Sequence, residues 1–264
     1  AFASYRQHLL HKTVLKHTSM AKNNSIFSYV ILGVFLTACD STDPESYLRH
    51  DNASRLNIPL SGSLQNPAFS PDGNAIVFTR FRNGYNQEPA DLFIYHLAER
   101  TVDTLVMDGS ANVNLPGSSW NSLSGNIVFS SSRDPHDEIF IINDNGKPGD
   151  EKQITERAEY MAYEPTFSPD GQWIAFESHP VDVEDRGIIM KYKVDKSSTY
   201  EALTEEEDDC RQPNWSPSGD QILYQQYEHG RWDIWIMKPD GSGKRMITSG
   251  EGDKTDGCFT NDGE

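Results

Sequence analysis

The sequence predicts an all-β protein, a β-propeller of four-stranded antiparallel blades, and three observations carry that reading. A motif recurs at a near-constant interval. Phe69-Ser-Pro-Asp-Gly73, Trp120-Asn-Ser-Leu-Ser-Gly125, Phe167-Ser-Pro-Asp-Gly171, Trp215-Ser-Pro-Ser-Gly219 and Phe259-Thr-Asn-Asp-Gly263 follow one another at steps of 51, 47, 48 and 44 residues between their leading aromatics. Each of the first four is followed nine residues later by a second aromatic, Phe78, Phe129, Phe176 or Tyr224, which fixes the register inside the unit. Four short apolar, β-branched stretches separated by turns fill each period. Four strands in about 47 residues is the size of one propeller blade.

Each element has a local reason. The leading aromatic ends an inner strand, and the Ser-Pro-Asp-Gly turn after it has a mechanism: Pro presets φ at the first central position, Asp suits the second and Gly the exit. Second strands are expected at Ala75–Phe78, Ile127–Phe129, Ile174–Phe176 and Ile222–Tyr224. Third strands follow at Asp91–Tyr95, Glu138–Ile142, Gly187–Met190 and Asp233–Met237, and short fourth strands at Gln153–Thr155, Ala202–Thr204 and Met246–Thr248. The leading aromatics are expected to fill the space between neighbouring blades.

Two motifs carry resemblances. Pro-x-Phe/Trp-Ser-Pro-Asp-Gly, then Ile-Ala-Phe, then Asp233-Ile-Trp-Ile-Met-Lys-Pro-Asp-Gly-Ser242 and Ile-Thr, resembles the TolB-type, WD-like propeller repeat over residues 56–264. That resemblance implies a ring, usually of six blades, and a family that includes TolB itself, bacterial lipoproteins, and propellers attached to prolyl-oligopeptidase-like enzymes. About 30 residues separate Cys39 from Phe69, too few for the α/β domain that precedes the propeller in TolB proper. The chain ends just after the turn of the fifth unit, where an inner strand would leave its edge unpaired. A fragment of a six-bladed ring is therefore expected, with four complete blades and the start of a fifth. Leu56-Asn-Ile-Pro-Leu60 stands where a fourth strand would precede the first unit and clasp the ends of a full ring.

Upstream, Met20 to Ala38 has the layout of a secretory signal, with one basic residue, a polar step and an apolar run from Tyr29 to Leu36 that is too short to span a bilayer. Its ending, Leu36-Thr-Ala-Cys39, resembles the bacterial lipobox, which implies acylation of Cys39 and cleavage before it. Multiple acyl chains anchor a protein stably where one does not. The domain plan is then 1–19 upstream extension, 20–38 signal, 39–55 tether and 56–264 propeller. The protein is expected to be exported and held by its lipid anchor on a membrane facing the periplasm, with Asp40 implying retention at the inner membrane.

Charge narrows the partners. The chain carries 40 acids and 23 bases, net −17, but the first 38 residues hold four of the bases and no acid, so the body from Cys39 onward is −21. A nucleic-acid binder must bring cations to the phosphates, so that class is excluded. The loops expected on one face collect Glu156, Glu159 and Glu164, then Asp182, Glu184 and Asp185, then Glu205 to Asp209. Such a rim favours a basic partner or divalent cations. Calcium at Asp182, Glu184 and Asp185 is the one metal considered, although no calcium-loop spacing supports it; otherwise no cofactor is expected.

The residue three before each leading aromatic should open onto the channel mouth. Asn66, Glu164, Gln212 and Asp256, with Tyr163 and Arg211 beside them, are the ligand-contact candidates, and Gly117 is the glycine at the same position. His179 and His229 occupy equivalent loops and join that set. No His pair has metal-ligand spacing and no G-x-S-x-G elbow is present, so no catalytic residue is assigned. Cys210 and Cys258 remain as a pairing the exported compartment permits. The expected function is a non-catalytic, monomeric envelope lipoprotein whose propeller binds a protein, peptide or glycan. The alternatives are the propeller of an exported enzyme, either prolyl-oligopeptidase-like or polysaccharide-active, and a Tol-Pal-type component.

Overall fold

The computed structural model describes residues 56–263 except 108, 110, 115–119, 134, 182, 184, 261 and 262. The export segment, Cys39, the tether, Gly117, Asp182 and Glu184 lie outside the described residues. The chain forms four antiparallel four-stranded sheets in sequence order, and they do not close into a ring. Blade 1 is β1 (Ser63–Phe69), β2 (Ala75–Phe81), β3 (Ala90–His96) and β4 (Thr101–Val106). Blade 2 is β5 (Val113–Asn114), β6 (Asn126–Ser131), β7 (Glu138–Asn143) and β8 (Lys152–Gln153). Blade 3 is β9 (Tyr160–Phe167), β10 (Trp173–Pro180), β11 (Ile188–Lys193) and β12 (Glu201–Ala202). Blade 4 is β13 (Cys210–Trp215), β14 (Ile222–Glu228), β15 (Arg231–Met237) and β16 (Arg245–Met246).

The Ser-Pro-Asp-Gly turns close by side-chain chemistry. Ser70 Oγ donates to Asp72 Oδ1 at 2.6 Å and accepts from Ala75 N at 2.8 Å, while Asp72 Oδ1 accepts from Asn74 N at 3.0 Å. Ser168 and Asp170 repeat the pattern with Trp173 N and Gln172 N. In unit four, where Ser218 stands in the Asp position, Asp220 receives the Ser216 and Ser218 hydroxyls instead. In the degenerate unit, Asn121 Oδ1 accepts from Leu123 N, Ser124 N and Ser124 Oγ.

Period-2 alternation sends each strand's apolar residues into the seam on either side. One seam joins Val77, Leu92 and Ile94 to Ile127, Phe129 and Ile142. The next joins Val128, Ile139 and Ile154 to Phe167, Phe176 and Met190, and the third joins Ala175, Ile189 and Leu203 to Trp215, Tyr224 and Met237. The leading aromatics Phe167 and Trp215 are buried in these seams. Phe69 departs from the expectation at 45% exposed, since among the described residues no other sheet packs on that side of blade 1. There Ile58 and its neighbours Leu56 and Leu60 pack instead on Ile76, Phe78, Phe93 and Tyr95. Phe259 lies against Leu223, Ile234 and Ile236 on the far face of blade 4.

The fourth strands end earlier than expected, at Gln153, Ala202 and Met246. The next residue turns back on the third strand. Ile154, Leu203 and Ile247 donate their N–H to the carbonyls of Ile139, Ile189 and Ile234. The following threonine hydroxyl, Thr155, Thr204 or Thr248, then accepts the N–H of that same third-strand residue. A side-chain oxygen has replaced the carbonyl a longer strand would have offered. In blades 2 and 4 the threonine also donates to the acid one residue earlier, Glu138 or Asp233. Blade 3 has Ile188 at this position, and its third strand begins there, one residue later than the sequence suggested.

Candidate functional site

The positions selected three residues before the leading aromatics share a backbone conformation. Asn66, Glu164, Gln212 and Asp256 have φ of 51°, 45°, 52° and 57°. A non-glycine residue in the left-handed region costs about 1–2 kcal/mol. In β1, β9 and β13 a break of register lies at this point, so each inner strand bulges where the candidate sits. The bulge is tied to the preceding blade where that blade supplies a long acceptor. Gln212 N donates to Glu177 Oε2 at 3.1 Å across the seam between blades 3 and 4, and Asp256 N donates to Gln225 Oε1 at 3.2 Å. Glu177 and Gln225 each follow the second-strand aromatic directly. Blades 1 and 2 carry Thr79 and Ser130 there, both fully buried and too short to repeat the link; their hydroxyls have no hydrogen-bond partner among the described residues.

Strands β9, β10 and β13 gather five of the eight candidates. His179 lies within β10, 1% exposed, with its Nε2 2.6 Å from Glu177 Oε1. Tyr163, on β9, sets its ring against His179 at 67° with centroids 6.0 Å apart. Glu164 follows it, 5% exposed. Arg211, on β13, donates from Nε to Asp209 Oδ1 at 3.0 Å and from Nη2 to Asp209 Oδ2 at 3.1 Å, and its guanidinium lies 5.0 Å from the Trp232 ring centre. Gln212 completes the group. Asn66 stands apart on β1, and Asp256 is exposed beyond β16. His229 is not with His179. It occupies the exposed hairpin tip between β14 and β15, φ 54°, beside Glu228 at 3.3 Å. The expectation of equivalent loops fails because β10 runs on to Pro180 and takes His179 into the sheet.

Two further carboxylates matter that sequence reasoning did not select. Burial alone would raise the Glu177 carboxyl, but the His179 hydrogen bond and charge, the Arg211 charge and the Gln212 N–H outweigh it and hold the group below its ordinary value. Asp137, partly buried just before β7, goes the other way. Desolvation, then the Glu88 charge, push it from 3.8 to about 6 against a hydrogen bond from Tyr163. Aligning the repeats gives a signal for Glu177, since it puts a carboxylate where the other units have Thr, Ser and Gln. Nothing comparable marks Asp137.

The raised Asp137 carboxyl has a stability consequence with a definite sign. A carboxyl whose folded pKa lies above its unfolded value contributes stability that is fully present below about pH 4 and is lost as pH rises through about 6. Asp137→Asn keeps the neutral state at every pH. It is expected to be more stable than the parent at pH 7.5 by about 2 kcal/mol, the linkage value of so large a displacement reduced for the carboxyl's partial exposure, and equally stable at pH 3.5. Urea unfolding at the two pH values checks this; a gain of the same size at both would show that the carboxyl charge is not its source.

Cys210 and Cys258 are both free thiols. Burial pushes the Cys210 thiol up to about 12, against a hydrogen bond from Thr204, while Cys258 is exposed. The pairing left open by the sequence is not formed here. Asp185 is exposed. Among the described residues no group of three or more His, Cys, Asp or Glu is placed to hold a metal ion, and no helix is long and apolar enough to cross a membrane.

Repeated four-stranded sheets, packed through aromatic seams and presenting polar bulges on their inner strands, define a β-propeller repeat protein. Residues 67–263 match the TolB beta propeller domain, and the chain belongs to that family. It is 29% identical over 163 residues, 62% of this chain and 35% of the relative, to the Tol-Pal system protein TolB of Francisella tularensis subsp. holarctica (strain OSU18). The chain thus spans about a third of the length of that curated relative. Among solved structures it is similar to a putative TolB from Agrobacterium tumefaciens, with TM-score 0.61, 19% identity and coverage of 76% of this chain and 70% of that one. It is also similar to a puromycin-hydrolyzing peptidase of Mycobacterium tuberculosis, with TM-score 0.56, 12% identity and coverage of 74% and 30%. At such identities these two likenesses show the fold alone.

Proposed function

We propose that this protein is an exported, lipid-anchored binding scaffold of the bacterial envelope, without catalysis of its own, whose propeller recognises a protein, peptide or glycan. The observation that carries the reading is the inner-strand cluster of Tyr163, Glu164, Arg211 and Gln212. Strands rather than loops hold these residues, and the buried carboxylates of Glu177 and Asp209 fix Gln212 and Arg211. Preorganised polar groups on rigid elements suit recognition. The acid excess of the body favours a basic segment of the partner. The lipobox-like Leu36-Thr-Ala-Cys39 supports the anchor, and the TolB relatives support an envelope setting.

Pull-down from a bacterial envelope extract tests the scaffold. A partner retained by the parent protein and lost at least tenfold by Glu164→Ala, with the β-sheet circular dichroism unchanged, is the expected result. Retention unaffected by Glu164→Ala and Gln212→Ala together would place recognition elsewhere. Labelling with a palmitate analogue, abolished by Cys39→Ala, tests the anchor separately. An unchanged thermal melt on calcium addition would remove calcium at Asp182, Glu184 and Asp185. The fold likeness to the mycobacterial peptidase supports a second reading, the gating propeller of an exported enzyme. That reading requires a hydrolase domain in the same polypeptide, which sequencing the full gene would reveal.

A further inference from the structure

The loop from blade 2 into blade 3 carries a cation where the next loop carries acids. Arg157 stands two residues after Thr155, at the place where Glu206 follows Thr204 and Gly250 follows Thr248. Tyr160, five residues after Thr155, takes the place of Asp209 and Asp253. Tyr200, four residues before Thr204, takes the place of the charged Glu151 and Lys244. These three breaks in the repeat meet in space. The Arg157 guanidinium lies 4.2 Å from the Tyr160 ring centre and 5.2 Å from that of Tyr200, within reach of a cation–π attraction. Tyr200 is itself fixed, its ring stacked on Tyr192 at 4.3 Å and its hydroxyl accepting the Glu156 N–H at 3.1 Å. The loop is pinned at three further points: Arg157 N donates to Glu138 Oε1 at 2.7 Å, Ala158 O lies 3.1 Å from His136 Nε2, and Glu159 O accepts from Val181 N at 3.0 Å.

The guanidinium held in this way is short of acceptors. Its Nη1 donates to Ser178 Oγ and lies 3.0 Å from Met190 Sδ, a neutral hydroxyl and a weak thioether acceptor. Among the described residues Nε and Nη2 have no hydrogen-bond partner, and both reach solvent. The Glu138 charge bears on the group, but the two Glu138 oxygens are taken by Arg157 N and the Thr155 hydroxyl. By contrast Arg80, Arg82, Arg133, Arg211 and Arg231 each pair with an Asp or Glu side chain. Nε and Nη2 form one edge of the guanidinium, two parallel N–H donors that match the two oxygens of a carboxylate. The body is −21, and Glu156 and Glu159 border the loop, so a singly charged carboxylate meets less repulsion here than a phosphate dianion. We propose that Arg157, Tyr160 and Tyr200 form a binding site for a peptide carboxylate, a chain terminus or an acidic side chain, taken by Nε and Nη2 beside the two rings. The pinned loop presents the fork already oriented, so little ordering is left for the moment of binding. The site shares no residue with the inner-strand cluster and does not rest on the scaffold reading above.

The test is an NMR titration of the full chain at neutral pH, following the Arg157 Nε–H and the Glu156 backbone amide. The probes are acetyl-Gly-Gly, with a free terminal carboxylate, acetyl-Glu amide, with a side-chain carboxylate, acetyl-Gly amide, with neither, and inorganic phosphate. Saturable shifts of both resonances with one or both carboxylate probes, and none with acetyl-Gly amide, are the expected result. The probe that binds tells a chain terminus from a side chain. Arg157→Lys keeps the charge but loses the fork and should weaken the response of the Glu156 amide by about tenfold, the equivalent of one charge-assisted hydrogen bond. Arg157→Gln should abolish it. Phosphate binding as tight as that of the carboxylates would overturn the proposal in favour of a general anion site. An unchanged response in both variants would overturn it outright, as would the absence of a saturable shift with either carboxylate, the result if an acid of the chain itself fills the fork. Failure of the envelope pull-down would leave these shifts as they are, so the two ideas fall separately.

Discussion

Phe176→Ala is expected to lower stability by about 4 kcal/mol, the loss for truncating a fully buried phenylalanine in a packed core. Phe176 is 0% exposed and sits in the seam between blades 2 and 3 among Val128, Ile139, Ile154 and Phe167. Its ring also meets Tyr200 edge-on at 6.4 Å. The core seams among the described residues join successive blades, so the cavity opens in the layer that transmits cooperativity along the stack. The matched control is Phe69→Ala, at 45% exposed, which should cost less than about 1 kcal/mol. Urea midpoints at constant m measure the difference. Equal losses at the two sites would mean that seam burial does not hold the stack together.

The contrast between Phe176 and Phe69 also shows what the sequence makes legible. Both belong to the repeating pattern of aromatics, and periodicity alone fixes their strands, their register and the turns between them. Burial is a property of the neighbour, however, and no local pattern states whether another sheet packs against Phe69. Spacing finds the left-handed candidates, because a bulge at a fixed distance before the aromatic is part of the repeat. It misses Glu177 and Asp137, whose roles lie across seams. Glu177 becomes important when β13 of the next blade brings the Gln212 N–H to it, and Asp137 when burial and then the Glu88 charge raise its carboxyl. His179 and His229 show the reverse error. Similar sequence offsets put them together, but one strand continues through its histidine and the other turns before it. The fourth strands end early for a chemical reason also written in the chain, the threonine that follows each Ile or Leu, whose hydroxyl competes with the backbone for the third-strand N–H.

Blade 3 differs from its neighbours at the start of its third strand, and Gly187 is where the difference can be measured. Blades 1, 2 and 4 carry Asp91, Glu138 and Asp233 near the start of this strand, all buried; blade 3 has Ile188 at the same position, preceded by Gly187. Gly187 N donates to Asp209 Oδ1 at 3.1 Å, and Gly187 O accepts from Cys210 N at 2.6 Å. Both backbone groups are thus held by the segment leading into blade 4, which forces a close approach. A Cβ at this position would lie 2.7 Å from Cys210 O and 2.9 Å from His179 Cε1. The histidine ring is the softer neighbour and shifts only at the cost of its Glu177 bond, whereas the carbonyl is backbone and moves only if the seam opens. Gly187→Ala is therefore expected to lose about 3 kcal/mol, the upper part of the range for overpacking a close-packed site. Adding His179→Ala should recover little of the loss, because it removes the softer of the two clashes and leaves Glu177 buried without its histidine hydrogen bond. Gly73→Ala is the control, with open space around its Cβ but φ of 72°, and should cost only about 1 kcal/mol of backbone strain. Differential scanning calorimetry on the four proteins separates the cases. A Gly187→Ala variant no worse than Gly73→Ala would show that the seam between blades 3 and 4 yields without cost, and the rigid placement of Arg211 and Gln212 would then have no structural basis.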